Sequence, residues 1–269
     1  ATNIAVPTAA QYARANGSLW FCNERVAFAI TAILKRIYFH NRSIQTAVNN
    51  TLTADGLHQG GTGAGADLPA DWSGDWGFYP YLPLSAGVNQ GDLTGIFSQS
   101  ITDSGGTRVI NNIPSFFGLK NDYKYLGCIE EDTLLQCEAD GSQSFWIDNN
   151  IDGHTFDVTR TDGHVLVGSG YQTGAAGWTY PKKINLSNLC NFPLENGGSA
   201  STGYGDGYYN PFATSGLRGA SRLGNASDGG SAGSVFLSGN NAPSLADANY
   251  GVALCEFKEA FSTEPTLIS

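Results

Sequence analysis

The chain has 269 residues, of which 41% are hydrophobic and 14% charged, with a net charge of −10 at pH 7 and a pI near 4.7. That length and apolar content suit one large or two small globular domains with a real core and exclude an unstructured chain. The acidic balance, without any run of Lys or Arg, excludes the clustered phosphate contacts of a nucleic-acid binder.

In chain order, the first pattern is helical. Cys22, Val26, Ile30, Ile33, Leu34 and Ile37 recur at three- and four-residue steps, with Glu24, Thr31 and Lys35 on the other side. This predicts an amphipathic helix over about 20–40, with Ser18 as N-cap and the apolar stripe packed on a core. A weaker helical pattern runs from 43 to 52. The most apolar segment, Val26 to Phe39, is interrupted by Lys35 and Arg36 and is too short to span a bilayer, so no membrane insertion is expected. No secretory signal is legible at the N-terminal end.

A Gly-rich break at 56–65 ends the helical part, here taken as 1–60. Beyond it, short β-type runs alternate with turn signals: Phe145-Trp146-Ile147, Thr155-Phe156-Asp157-Val158, His164-Val165-Leu166-Val167 and Val252-Ala253-Leu254. Asp152-Gly153 and Asp162-Gly163 suit tight hairpin turns between such runs. Long stretches at 66–115 and 168–250 read as irregular, and Trp72, Trp76, Phe78, Tyr79 and Tyr81 as packing for the first of them. The five cysteines, Cys22, Cys128, Cys137, Cys190 and Cys255, have no CxxC spacing. They read as buried thiols or at most one or two disulfides, not a metal cluster.

The most informative stretch is compositional. From Asn196 to Cys255, sixty residues pass without a Lys, Glu, Gln, Trp or Met, although the rest of the chain uses the first four. Those five types have codons that end only in A or G. The residues used instead are those that an Asn codon, AAC or AAT, yields when its adenines are randomised. Such a surface is made for variation, which means recognition rather than catalysis.

Several segments carry a resemblance. Ala5-Val6-Pro7-Thr8-Ala9-Ala10-Gln11-Tyr12-Ala13-Arg14 opens the chain, and Ser115-Phe116-Phe117-Gly118-Leu119-Lys120-Asn121 with Tyr125-Leu126 stands at its centre. Gly197-Gly198-Ser199-Ala200-Ser201-Thr202-Gly203-Tyr204, Tyr208-Tyr209, and the run from Leu217-Arg218-Gly219-Ala220-Ser221 to Gly251-Val252-Ala253-Leu254 follow. Together they resemble a C-type lectin fold of the formylglycine-generating-enzyme type, and more narrowly the variable proteins of diversity-generating retroelements, many of them carried by bacteriophages. Gly127-Cys128 stand where that family has aromatics.

The resemblance implies an α+β C-type lectin fold with sparse regular structure and long loops. It implies one domain over 1–258, with a variable ligand-binding region at 196–257, and a tail at 259–269. Leu217, Arg218, Gly219, Ala232, Gly233, Pro243, Gly251, Val252 and Leu254 would be framework. Ser221, Leu223, Asn225, Ala226, Asp228, Ser231, Phe236, Asn240, Asn241, Leu245, Asp247, Ala248 and Asn249 would form the binding face. Small adaptable polar groups would surround a few aromatic anchors there, with Phe236 and Tyr250 as anchor candidates. The partner would be a host cell-surface protein or glycan, and the location a virion tail fibre or a cell surface. The N-terminal helix either packs on the domain or drives formation of a homotrimer.

No cofactor or catalytic residue is expected. Relatives of this fold that are enzymes need a paired copper-binding thiol site or clustered histidines, and Cys190, Cys255, His40, His58, His154 and His164 offer neither pattern. Asp148-Asn149-Asn150-Ile151-Asp152-Gly153 matches the first half of a calcium loop, with Asp148, Asn150 and Asp152 as oxygen donors. Thr159 stands where the loop needs Glu, so a polar turn is the simpler reading. Beside the variable binding protein stand two other functions: a structural virion or fimbrial subunit, and a formylglycine-generating-type enzyme.

Overall fold

The computed structural model of the protein describes residues 4–22, 24–44, 47, 94–103, 106–117, 119–120, 127–148, 157–171, 177–199, 202–210, 215–224, 231–246, 250–251 and 254–256. Helix α1 (Val6–Arg14) begins with Pro in its first turn, where a missing N–H leaves no bond unmade. Its buried side is Val6, Ala9, Ala10 and Ala13. Strand β1 (Trp20–Cys22) and helix α2 (Arg25–Phe39) follow.

The helix predicted over 20–40 therefore starts later. Trp20–Cys22 is a strand because it pairs antiparallel with β15 (Leu254–Glu256), Phe21 opposite Cys255. Ser18 is exposed in the preceding turn, and Glu24 occupies the N-cap without a side-chain capping bond. His40 closes α2 in the left-handed conformation at φ 52°. A helical turn continues at Ser43, whose carbonyl accepts the Ala47 N–H at 3.1 Å; most of the predicted 43–52 helix lies outside the described residues.

The expected buried face of α2 is also turned around. Its buried residues are Arg25, Ala29, Ala32 and Lys35, whereas Ile30, Leu34 and Ile37 of the apolar stripe are exposed, as is Tyr38. Two alanines let the helix axis approach its neighbours closely, and the two cations are taken inside by specific partners. Arg25 donates to Asp132 through its backbone N–H at 2.8 Å and pairs with it through its guanidinium. The Lys35 ammonium lies 5.7 Å from the Phe116 ring centre.

The remaining strands are β2 (Gly95–Asp103), β3 (Gly106–Phe116), β4 (Leu119–Lys120), β5 (Gly127–Cys137), β6 (Gln143–Ile147), β7 (Val165–Tyr171), β8 (Gly177–Thr179), β9 (Pro181–Asn185), β10 (Phe192–Asn196), β11 (Tyr208–Asn210), β12 (Gly216–Leu223), β13 (Gly233–Ser238) and β14 (Tyr250–Gly251). β2, β3 and β4 form an antiparallel sheet inside and just beyond the stretch expected to be irregular at 66–115. The stretch 168–250 likewise holds several short strands. Cross-strand pairing makes strands of segments whose own apolar alternation is weak.

The protein is α+β, with a curled mixed sheet in the order β7-β6-β5-β12-β13-β11-β8. β11 runs parallel to β13, and β14 joins alongside β5, also parallel. The predicted runs at 145–147 and 165–167 lie in β6 and β7. Asp157 and Val158 are not a strand. The Asp157 carboxylate accepts the Thr159 N–H at 2.9 Å and hydroxyl at 2.6 Å, which favours a turn over a ladder. Asp162 and Gly163 form a turn as expected, but it leads into β7 rather than joining two paired strands.

One face of the sheet buries Leu135, Phe145, Ile147, Cys190, Phe192, Tyr208, Ala220 and Leu237, with Phe145 and Phe192 stacked at 4.3 Å. Three consecutive acids of β5 are buried where its register against β12 slips, between Ala220↔Glu130 and Gly219↔Leu134. Glu131 takes Arg14 of α1 and the Cys22 N–H of β1, the latter at 2.7 Å, while Asp132 takes Arg25 of α2. The acids thereby fasten the N-terminal helices to the sheet. No described helix is long and apolar enough to cross a membrane.

Candidate functional site

Strands β12, β13, β11 and β8 run side by side, and their registers align two rows of residues. Tyr208, Leu237 and Arg222 are successive partners on the core face. One position along, Trp178, Tyr209, Ser238 and Ser221 are successive partners and point the other way, as strand periodicity requires. This second row lines a cleft of about 230 Å³. Phe236, two residues before Ser238, supports its wall, and Gly224, Asn240 and Tyr250 complete the rim opposite Gly127.

Arg222 holds the backbone of this region from below. It is 1% exposed, pairs with the equally buried Glu130, and donates to the carbonyls of Asn191 at 3.2 Å and Cys190 at 2.9 Å. Its guanidinium also lies 5.1 Å from the Phe192 ring centre. A buried cation is tolerable only with such partners.

The aromatic wall is preformed. Trp178 meets Tyr209 edge-on at 5.1 Å and Phe236 at 5.2 Å, yet remains 47% exposed. Gly207 is required behind it, because a Cβ there would lie 2.9 Å from Trp178 Cε3. At the other end, Tyr250 is the β-ladder partner of Gly127 and its hydroxyl accepts the Asn241 side-chain N–H at 2.7 Å. Ser221 sits between them, 6% exposed, with an Oγ that has no hydrogen-bond partner among the described residues. None of the described lining residues is charged.

Of the predicted binding residues, Ser221, Phe236 and Asn240 are brought together in this cleft. Asn241 and Leu245 line a second, shallower depression of about 20 Å³ that shares Ser221 and Tyr250 with the first. Leu223 is buried at a register shift at the end of β12, with φ 72°. Ser231 is half-buried, its hydroxyl 2.9 Å from that of Tyr180. Asn225, Ala226, Asp228, Asp247, Ala248 and Asn249 lie outside the described residues. Sequence reasoning missed Trp178, Tyr209, Ser238, Gly127 and Gly224. Trp178 and Gly127 are remote in sequence, and only sheet register makes them neighbours of Ser221.

Asp148 is buried, and its N–H donates to the Asp132 carbonyl at 3.2 Å, while Asn150 and Asp152 lie outside the described residues. Among the described residues, no group of three or more His, Cys, Asp or Glu is placed to hold a metal ion. Cys22, Cys128, Cys137 and Cys190 are free thiols. Burial pushes the Cys137 thiol up to about 11 and the Cys190 thiol up to about 12, so neither is a ready nucleophile. No protein-family model matches the chain, and neither does any curated protein.

Proposed function

We propose that the protein is a ligand-binding protein whose C-terminal surface is diversified by a retroelement, on a scaffold of C-type lectin type. Its role on this reading is host-receptor recognition, as part of a phage tail fibre or as a surface adhesin, with a host protein or glycan as partner. One observation carries this. Seven of the nine described residues lining the cleft, Tyr209, Ser221, Gly224, Phe236, Ser238, Asn240 and Tyr250, come from the sixty-residue stretch without Lys, Glu, Gln, Trp or Met. The stretch that composition singles out thus supplies most of the described lining of this cleft.

The architecture suits variation. Along β12, side chains alternate between a core fixed by Arg222 and a face on which Ser221 Oγ makes no hydrogen bond among the described residues. Changes on that face alter what is bound without removing core contacts. For the enzyme reading, Cys190 offers a thiol buried beneath the sheet rather than one in the cleft. The structural-subunit reading draws on the exposed apolar side of α2.

The deciding experiment is sequencing of the gene and its flanks across a growing population. Variation confined to codons ending in C or T between about 218 and 250, with a nearby near-copy carrying adenines at those sites, is the expected result. An invariant segment without such a copy would overturn the diversification and reopen the structural-subunit and enzyme readings.

A further inference from the structure

We infer that the cleft takes a neutral saccharide, with one pyranose ring stacked on Trp178 and a ring hydroxyl bonded to Ser221 Oγ. This rests on the reading of the cleft as the binding surface and narrows its ligand.

Three features point to this chemistry. The described lining is uncharged although the chain carries a net charge of −10. An ionic ligand would be desolvated there without a counter-charge, which is strongly unfavourable. The aromatic wall is rigid and exposes only part of itself, since Gly207, Tyr209 and Phe236 hold Trp178 from behind. A π face is electron-rich, so it prefers the weakly positive C–H face of a sugar ring, and its immobility keeps the entropy cost low. Finally, the Ser221 hydroxyl is buried without a hydrogen-bond partner among the described residues, and Ser238 lies opposite it on the next strand. A purely apolar ligand would leave Ser221 unsatisfied, which is costly in a closed site. A pyranose has one apolar face and hydroxyls around its edge, and it answers both halves of the cleft at once.

Size sets the extent. About 230 Å³ is below the ~300 Å³ at which drug-sized sites begin, so the cleft holds one ring or two, the end of a glycan. Affinity for a single ring is then on the order of millimolar. Trp178 and Gly127 lie outside the 196–255 stretch, whereas Ser221, Ser238 and Asn240 lie within it. The stacking platform is therefore constant and the hydrogen-bonding rim selects which sugar is held.

The test uses the full chain and a panel of methyl glycosides of glucose, galactose, mannose and N-acetylglucosamine, followed by saturation-transfer NMR. At least one glycoside should receive saturation on its ring C–H protons. Trp178→Ala should weaken that binding about tenfold and Trp178→Phe much less, as expected for loss or retention of one aromatic face. Ser221→Ala should weaken it several-fold and change the order of preference among the panel. Thermal melts of each variant separate lost binding from lost folding. The inference is overturned if no glycoside is bound by the folded wild-type chain, or if binding survives Trp178→Ala in a folded variant. Should population sequencing show variation at the cleft codons while every glycoside fails, the saccharide is wrong and a protein ligand takes its place, with the binding surface retained. Glycoside binding with an invariant gene would instead keep the saccharide and remove the diversification.

Discussion

Gly127 and Ser221 face each other so closely that a Cβ on Gly127 would lie 2.6 Å from Ser221 Oγ and 2.8 Å from the Tyr250 ring. The floor of the cleft thus depends on a residue with no side chain. Gly127→Ala should cost about 1–3 kcal/mol by overpacking and should displace Tyr250. Combining it with Ser221→Gly removes one of the two collisions and should recover part of the loss. Denaturant titration of both variants measures this; equal stability of Gly127→Ala and wild type would show that the rim yields freely.

Arg222 lies inside the stretch read as variable but belongs to the frame. Arg222→Met leaves Glu130 buried without its cation and should cost about 3–5 kcal/mol. Arg222→Met with Glu130→Leu should regain most of that loss, because both charges are then gone. A double-mutant cycle by urea unfolding measures the coupling. In a diversified population, codon 222 should stay constant while codon 221 changes.

Glu24, Asp206 and Asp132 are buried carboxyls that make stability fall with rising pH; Asp132 is pushed up to about 7 by burial and by Glu130, against the pull of Arg25. Glu24 is pushed up to about 9 by burial and by its neighbours Asp132, Glu131 and Asp148, against the pull of Arg25. Asp206 is pushed up to about 8 by burial, against the Val235 N–H, Arg36 and Lys35. Each folded value exceeds the unfolded value of about 4, so the native state holds more protons between the two. The stabilisation is complete below about pH 4 and is lost as pH rises through 7 to 9. Tm should therefore decline between pH 5 and 9, and Glu24→Gln with Asp206→Asn should flatten that decline. A slope unchanged by both substitutions would assign the pH dependence elsewhere.

The outer side of α2 places Val26, Ile30, Ile33 and Ile37 at steps of four, three and four residues, the spacing of a coiled-coil seam. Ile at both kinds of seam position favours three strands over two. With Ile30, Leu34, Ile37 and Tyr38 exposed, self-association through α2 is expected at high concentration. Light scattering after gel filtration should give a trimer mass, reduced to a monomer by Ile30→Gln with Ile37→Gln. A monomeric wild type at every concentration would remove the homotrimer.

Composition, charge and the bias in residue types were legible in the chain because they need no coordinates. They bounded the protein to an acidic globular molecule and drew attention to 196–255, the stretch that supplies most of the described cleft lining. The positions of β6 and β7 followed from local apolar runs, for the same reason. Periodicity failed on α2, because it assumes that the largest apolar residues face inward. Here Ala29 and Ala32 allow close packing, and Asp132 and Phe116 give Arg25 and Lys35 buried partners that lie far along the chain. The cleft itself was decided by register alone. Trp178, Tyr209, Ser238 and Ser221 become one row only when four strands align, and sheet pairing joins residues whose separation in sequence carries no mark of their contact.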